Sequence, residues 1–110
     1  RTNTIKHELA HAMYTLKYEA KKLGNNNNYS QAVKKLNEEF SSDFPKEYDK
    51  IIKGLKRQGY GENVLLDEVQ AYMSTSLKDE FVDEFKLNYD SLLPMIKKYR
   101  SNFNKYYKQK

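Results

Sequence analysis

The two histidines of the 110-residue chain stand at the ends of one pentapeptide, His7-Glu8-Leu9-Ala10-His11. Residues four apart on an α-helix lie about 40° apart around its axis and about 6 Å along it, so both imidazoles would point the same way. Two such rings can bind one metal ion through neutral nitrogens, at about 2.0–2.1 Å for zinc. Glu8 would lie beside that ion, where a carboxylate can take a proton from a metal-bound water. The spacing therefore predicts a metal site with a general base next to it.

The residues around the pentapeptide decide whether it is a site or a coincidence on the polar face of a helix. Apolar residues spaced three and four apart run from Ile5 to Leu23, which predicts one amphipathic helix. Thr4 is its predicted N-cap, and Gly24 followed by the loop Asn25–Asn28 ends it. The pentapeptide thus falls in the first turns of a predicted helix. Helical structure at both histidines is what binding of one shared metal ion requires.

This motif resembles the helix that defines the zincin metallopeptidases, which carries the pattern H-E-x-x-H. The resemblance implies that His7 and His11 bind Zn²⁺, that Glu8 is the general base, and that the substrate is a peptide or protein. Metzincins place glycine and histidine three and six residues after the second histidine, where this chain has Tyr14 and Lys17. Because the sequence holds no third histidine, the third protein ligand has to be a glutamate or an aspartate.

Gluzincins take their third ligand from a glutamate on a second helix, often within an E-x-x-A pattern. Glu68 and Ala71 match that pattern in a largely apolar stretch of the sequence. An unpaired carboxylate is costly to bury, and a divalent cation would compensate its charge. The resemblance therefore implies Glu68 as the third zinc ligand. The alternatives are an ordinary surface role for this glutamate, or ligation by Asp67, Glu38, Glu39, Glu62 or Glu84.

Two tyrosines bear on the remaining parts of such a site. In the thermolysin type, an aspartate four residues beyond the ligand glutamate orients a zinc-binding histidine, whereas this chain has the uncharged Tyr72 there. In the branch that includes anthrax-type lethal factors, a tyrosine about two turns before the ligand glutamate stabilises the oxyanion. Tyr60, between two glycines, stands near that distance and is the candidate. Its alternative is a position at the edge of the core after a helix end.

Hydrophobic spacing along the rest of the chain predicts one all-α domain of about five helices over residues 1–110. No useful length alternates with the period of a β-strand. The second predicted helix runs from Ser30 through Phe40 and is broken by Ser41-Ser42-Asp43, and the third runs from Pro45 until Gly59-Tyr60-Gly61 ends it. The fourth starts near Glu62 and runs through Met73, after which Ser74-Thr75-Ser76 weakens the helical pattern. A short helix over Lys78 to Phe85 and a last one from Asp90 or Ser91 onward follow. Pro94 sets the last start, because proline fits a helix best in its first turn.

The zincin resemblance implies one further element that this sequence does not contain. Zincin peptidases hold an extended substrate on the edge strand of a β-sheet that precedes the motif helix. Nothing in the 110 residues predicts such a sheet. We therefore expect either that the chain, which begins at Arg1, is a piece of a longer protein, or that it is a helical domain that binds metal without cleaving peptides.

Composition excludes several other kinds of protein. The chain has no cysteine, and therefore no disulfide, iron–sulfur cluster or thiol nucleophile. No apolar run approaches the roughly 20 residues that cross a bilayer, and no signal-peptide pattern opens the chain. The cellular compartment and the oligomeric state stay open.

The positive charge suggests a different function. The net charge of +5 comes from 20 basic against 15 acidic residues. Of the basic residues 17 are lysines and three are arginines, and arginine is the better ligand for phosphates and base edges. Lys97 to Lys110 holds six basic residues and no acid, interleaved with aromatics. The alternative function is therefore a non-catalytic helical module whose last helix contacts nucleic acid, a membrane or a protein, although nucleic acid is not favoured. A bland explanation also exists, since Tyr99, Phe103 and Tyr106 share one helix face and can be core residues.

Overall fold

Six α-helices make up the fold in the computed structural model, which describes residues 2–15, 28–76 and 78–107. In chain order the elements are α1 (Thr2–Thr15), α2 (Asn28–Asp43), α3 (Pro45–Arg57), a 3₁₀ turn (Glu62–Val64), α4 (Leu65–Thr75), α5 (Lys78–Phe85) and α6 (Tyr89–Tyr107). Within these ranges no residue lies in a β-strand, so the all-α prediction is confirmed. None of the helices described is long and apolar enough to cross a membrane.

The first helix carries the histidine motif as the spacing predicts, but with different limits. Thr4 lies within α1, so the prediction that it is the N-cap is wrong. Thr2 and Asn3 are polar residues that also tolerate a helix start, so composition alone does not separate these positions. The predicted continuation to Leu23 and the end at Gly24 lie outside the described residues.

The second helix is longer at both ends than the sequence predicts. It includes Asn28, which was assigned to the loop, so Ser30 lies in its first turn rather than at its cap. It also continues through the predicted breaker Ser41-Ser42-Asp43. The Ser41 hydroxyl donates to the carbonyl of Glu38 at 3.0 Å, one turn back, so its polar group has a partner within the helix.

The third helix follows the prediction at both ends. Pro45 occupies its first turn, where a missing N–H costs nothing. The backbone N–H of Tyr60 donates to the carbonyl of Leu55 at 3.2 Å, and Gly59 takes a φ of +99°, which is the left-handed termination that glycine allows. This sharp end places Tyr60 directly before the turn that leads into α4.

The helices α4 and α6 correct two predicted boundaries. The predicted start near Glu62 holds as a 3₁₀ turn, but α4 then runs through Ser74 and Thr75 to a cap at Ser76. The helix α6 begins at Tyr89, so Pro94 lies inside it and not in its first turn, contrary to prediction. Proline there removes the hydrogen bond to the carbonyl of residue 90, an exposed residue near the start of the helix.

Two groups of buried side chains hold the helices together. The larger, called the main core here, joins α2 to α6 through Phe40, Ile51, Leu55, Leu65, Val69, Met73, Phe81, Phe85, Leu87, Leu92, Met95, Ile96 and Tyr99. The smaller joins α1 to α2, α4 and α6 through Ala10, Tyr29, Val33, Ala71 and Phe103. The helix α1 packs mainly against α4, and this α1–α4 interface carries the candidate site.

Candidate metal centre

Small residues bring α1 and α4 close together. Ala10 on α1 and Ala71 on α4 are both fully buried in the smaller core group, and Leu9 packs partly buried beside them. Because the distance between packed helices depends on the side chains at their contact, two alanines allow a close approach. Side chains one turn away on either helix can therefore meet across the interface.

The side chains that meet there are His7, His11 and Glu68. The Nε2 atom of His11 lies 3.2 Å from Nε2 of His7 and 3.1 Å from Oε2 of Glu68. The Nε2 atom of His7 lies 3.8 Å from Oε1 of Glu68. This His7–His11–Glu68 cluster is geometrically possible as a metal site, because each residue offers one ligand atom and all of these lie within 4.8 Å of one another.

The distances between these atoms can be compared with those of a tetrahedral zinc site. Such a site with bonds of about 2.0–2.1 Å separates neighbouring ligand atoms by about 3.3–3.4 Å. The two Nε2 atoms, 3.2 Å apart, lie near that separation, and the Glu68 carboxylate approaches His11 through Oε2 at 3.1 Å and His7 through Oε1 at 3.8 Å. Three protein ligands would leave a fourth position open, which is the arrangement of catalytic rather than structural zinc sites.

One oxygen of the Glu68 carboxylate is buried without a hydrogen-bond partner among the described residues. The residue is only 7 % exposed, and its Oε1 atom has no hydrogen-bond partner among the residues that the structure describes. His7 Nε2, at 3.8 Å, is too distant to donate a hydrogen bond to it. A buried acceptor without a partner is destabilising, and a cation placed between the three side chains would supply the missing contact.

The Nδ1 atoms of both imidazoles, here called the outer nitrogens because the Nε2 atoms face the cluster, contact other side chains. The hydroxyl of Thr75 donates to the carbonyl of Ala71 at 2.6 Å, so it can only accept at its 3.2 Å contact with Nδ1 of His7. Nδ1 of His11 donates to Oδ1 of Asp67 at 2.9 Å. Because both Nδ1 atoms carry the proton, both Nε2 atoms are the ones left to bind a metal.

Without a metal, the same side chains hold a proton. Hydrogen bonds to Asp67 and Glu68 raise the pKa of His11 to about 10, although burial opposes the shift. Burial alone would raise the pKa of Glu68, but the hydrogen bond from His11 and the nearby charges of His11 and His7 outweigh it and lower that pKa to about 2. Two carboxylates thus attract positive charge to the place where the ligand atoms meet.

Of Glu8, Tyr60 and Tyr72, the last contacts the cluster directly. Glu8 is exposed on α1, next to His7 in sequence. Burial raises the pKa of the Tyr60 phenol, and the charges of Glu68 and Glu8 add to the rise, so Tyr60 lies within electrostatic range of both carboxylates. The Tyr72 ring packs edge-on against the His7 imidazole, with ring centroids 5.0 Å apart, and therefore supports this histidine by packing.

The alternative carboxylates have other neighbours. Glu39 contacts Lys98, Glu62 pairs with Lys56 at 2.8 Å, and Glu84 accepts from Gln58 at 3.0 Å. Glu38 is an exposed residue of α2. Asp67, next to Glu68 in sequence, contacts the outer nitrogen of His11 instead of the inner one. Of the carboxylates considered, the structure brings Glu68 to the Nε2 atoms.

The last helix, α6, exposes lysines at the surface and buries two of its aromatic residues. Tyr99 and Phe103 are 1 % and 2 % exposed in the cores, while Lys97, Lys98 and Lys105 are exposed on α6. Lys108 and Lys110 lie outside the described residues. Base stacking requires exposed rings, so Tyr99 and Phe103 do not serve the alternative of a nucleic-acid interface.

Sequence reasoning did not assign Thr75 and Gln70 to the site. The sequence predicts that the helical pattern weakens at Thr75, yet this residue lies in α4 and accepts from His7. Gln70 is fully buried and donates to Oδ1 of Asp67 at 3.0 Å. A polar residue in an apolar helix is the one signal that could have drawn attention to Gln70.

Comparison of the chain with protein-family models, with curated proteins and with solved structures finds no match.

Proposed function

We propose that this chain is a zinc-dependent hydrolase of the gluzincin kind that cleaves peptide bonds. The observation that carries the proposal is the convergence of His7, His11 and Glu68, with both Nε2 atoms turned inward and a buried carboxylate oxygen in need of a partner. The resemblance of the histidine motif to the zincin helix supplies the reaction class.

Each residue then has a defined part. His7 and His11 would bind the ion through Nε2, and Glu68 would complete the protein ligands and offset the charge of the cation. Zinc, when bound in such a site, polarises a carbonyl and lowers the pKa of water from 15.7 to about 7. Glu8, an exposed residue next to His7 in sequence, would be the base that takes the proton of the attacking water and passes it to the leaving amine.

Tyr60 is the candidate for stabilising the oxyanion. Its raised pKa keeps the phenol protonated at neutral pH, so the O–H can donate a hydrogen bond. Tyr60 follows the end of α3 and packs partly buried against the main core, which is the alternative position expected for it, and the charges of Glu68 and Glu8 reach its phenol.

The experiment compares zinc-loaded wild type with Glu8→Gln on a quenched-fluorescent peptide library, and measures zinc content in parallel. Because Glu8 is assigned to proton transfer and not to ligation, we expect cleavage to fall by at least about 100-fold while zinc content stays the same. Glu38→Gln is the matched control, since it makes the same change at an exposed helical position on α2.

Three results would contradict parts of the proposal. Unchanged cleavage in Glu8→Gln would exclude Glu8 as the base. Loss of zinc in that variant would make Glu8 a ligand or a folding residue. Zinc binding by a wild type that cleaves no peptide would exclude the hydrolase function of this chain and leave a metal-binding domain.

A further inference from the structure

Gln70 is fully buried, and its side-chain amide has a hydrogen-bond partner for its oxygen and for both of its N–H groups. Its Oε1 accepts from the hydroxyl of Tyr29 at 2.6 Å, and its Nε2 donates to the carbonyl of Ala10 and to Oδ1 of Asp67, both at 3.0 Å. Two acceptors thus use both N–H groups of the amide. A buried amide satisfied in this way is held in one orientation by three helices, α1, α2 and α4.

The network continues from Gln70 to the candidate metal site. The same Oδ1 atom of Asp67 that accepts from Gln70 also accepts from Nδ1 of His11, at 2.9 Å. Tyr29, Gln70, Asp67 and His11 therefore form one chain of hydrogen bonds. This Tyr29–His11 chain begins in the smaller core group and ends on an imidazole whose other nitrogen faces Glu68.

Asp67 and Glu68 take opposite sides of the His11 ring. The two nitrogens of an imidazole point away from each other, and the structure places Asp67 on Nδ1 and Glu68 on Nε2. Neighbouring residues on a helix lie about 100° apart around its axis, which lets them reach different sides of one ring. Asp67 is consequently behind the ring, where it can orient the ligand but cannot share the ion with Nε2.

We propose that Asp67 and Gln70 are positioning residues for the metal site. Asp67 keeps the proton of His11 on Nδ1 and fixes the direction of Nε2, and Gln70 holds the carboxylate of Asp67 in place. This assignment rests on the metal-binding half of the proposed function and is independent of peptide cleavage. Losing the carboxylate partner of a ligating histidine typically weakens metal affinity by about 10- to 100-fold.

The test measures the zinc dissociation constant by competition with a chromophoric chelator, and the visible absorption of the Co²⁺-loaded protein. Asp67→Ala should weaken zinc binding by about 10- to 100-fold and alter the Co²⁺ bands, because the direction of a ligand changes. Asp67→Asn should recover part of the affinity, since its amide oxygen can still accept from Nδ1. Gln70→Met should have a smaller effect, and Tyr29→Phe the smallest, because each acts further from the ion.

A matched control and two other readouts separate positioning from a general structural role. Asp49→Ala removes an exposed aspartate of α3, paired with Lys53 at 2.9 Å, and should leave both the zinc affinity and the Co²⁺ spectrum unchanged. Circular dichroism reports whether each variant is folded. Should Asp67→Ala fail to fold, the nearly isosteric Asp67→Asn decides, because a purely structural role would leave its Co²⁺ spectrum like that of wild type.

The outcomes distinguish this inference from the proposed function. A folded Asp67→Ala with the zinc affinity and Co²⁺ spectrum of wild type would overturn the positioning role while the metal site stands. A loss of zinc in Asp67→Ala as complete as that in Glu68→Ala would make Asp67 a ligand and also overturn it. A wild type that binds neither Zn²⁺ nor Co²⁺ would refute the proposed metal site, and this inference with it.

Discussion

The main core and the α1–α4 interface are built from opposite kinds of side chain. The main core is apolar and holds large side chains such as Phe40 and Ile51, both 0 % exposed. The α1–α4 interface instead combines two small alanines with two imidazoles, two carboxylates and a buried amide. Apolar burial is favourable without any ligand, whereas buried charge has to be compensated.

The two regions therefore contribute to the protein in different ways. The main core joins α2 to α6 without residues of α1, and the α1–α4 interface carries the charged groups, whose burial has to be compensated by each other or by a ligand. The buried Glu68 carboxylate, with one oxygen lacking a hydrogen-bond partner among the described residues, is the part of this interface that a cation would compensate. Changes in the main core should therefore act alike with and without zinc, and changes in the cluster should not.

The largest effect on folding is expected in the main core. Ile51→Ala should lower the free energy of unfolding by about 2–5 kcal/mol, because it leaves a cavity in a fully buried site. Urea unfolding with zinc and with a chelator should give the same loss. Leu66, 40 % exposed on α4, supplies the control, since Leu66→Ala should change little in either condition. A loss at Ile51 that depended on zinc would remove the contrast between the two regions.

Zinc removal should have the next largest effect, and it should act through Glu68. At a free zinc concentration about 100 times the dissociation constant, bound metal adds about 2.7 kcal/mol to the free energy of unfolding. A chelator should remove that gain and lower the melting temperature of wild type. Glu68→Ala should lower the melting temperature with zinc present and should shrink the chelator effect, since it weakens the same site.

Glu62→Ala is the control for this comparison. Glu62 is an exposed residue of the 3₁₀ turn, paired with Lys56 at the surface, where such pairs contribute little. It should alter neither the melting temperature nor the response to the chelator. A chelator effect of equal size in wild type and Glu68→Ala would show that zinc acts elsewhere.

The smallest expected effect on the free energy of unfolding is a gradual change with pH. The raised pKa of His11 means that the metal-free interface contributes stability that is complete below pH 6.5 and is lost as the pH rises through about 10. The lowered pKa of Glu68 contributes stability that is present above pH 4.5 and is lost as the pH falls through about 2. Zinc replaces the His11 proton, so the zinc-bound form lacks the loss at high pH.

The gain in stability from zinc should therefore grow with pH. One displaced proton corresponds to at most about 1.4 kcal/mol per pH unit above pH 6.5. Thermal unfolding from pH 6.5 to 8, at constant free zinc and in a chelator, measures this slope. A zinc effect that is flat across this range would mean that the metal does not compete with the proton on His11.

The helices that sequence predicts best are those with strong local signals. Pro45 at the start of α3 and the glycine turn around Tyr60 are decided by backbone preferences, and both predictions are confirmed. Ser41 and Pro94 carry equally plain local signals against a helix, yet both lie inside one. Packing of the flanking apolar residues outweighs the local preference there.

The candidate site also has a part that local sequence predicts and a part that depends on packing. The histidine spacing places two imidazoles on one face of α1 from helical geometry alone. The contacts of His7 with Thr75, 68 residues away, and of His11 with Asp67, 56 residues away, depend on how α1 packs against α4. No local pattern contains that packing, and this is why the partners of the two outer nitrogens had to come from the structure.

Zinc stoichiometry of the purified chain tests the central claim most directly. Titration with Zn²⁺ at neutral pH, followed by removal of free metal and elemental analysis, should give one zinc per wild-type chain. The double variant His7→Ala, His11→Ala should retain none, because it removes two of the three ligand atoms. A wild type that takes up no zinc, or a double variant that retains as much zinc as wild type, would contradict the account.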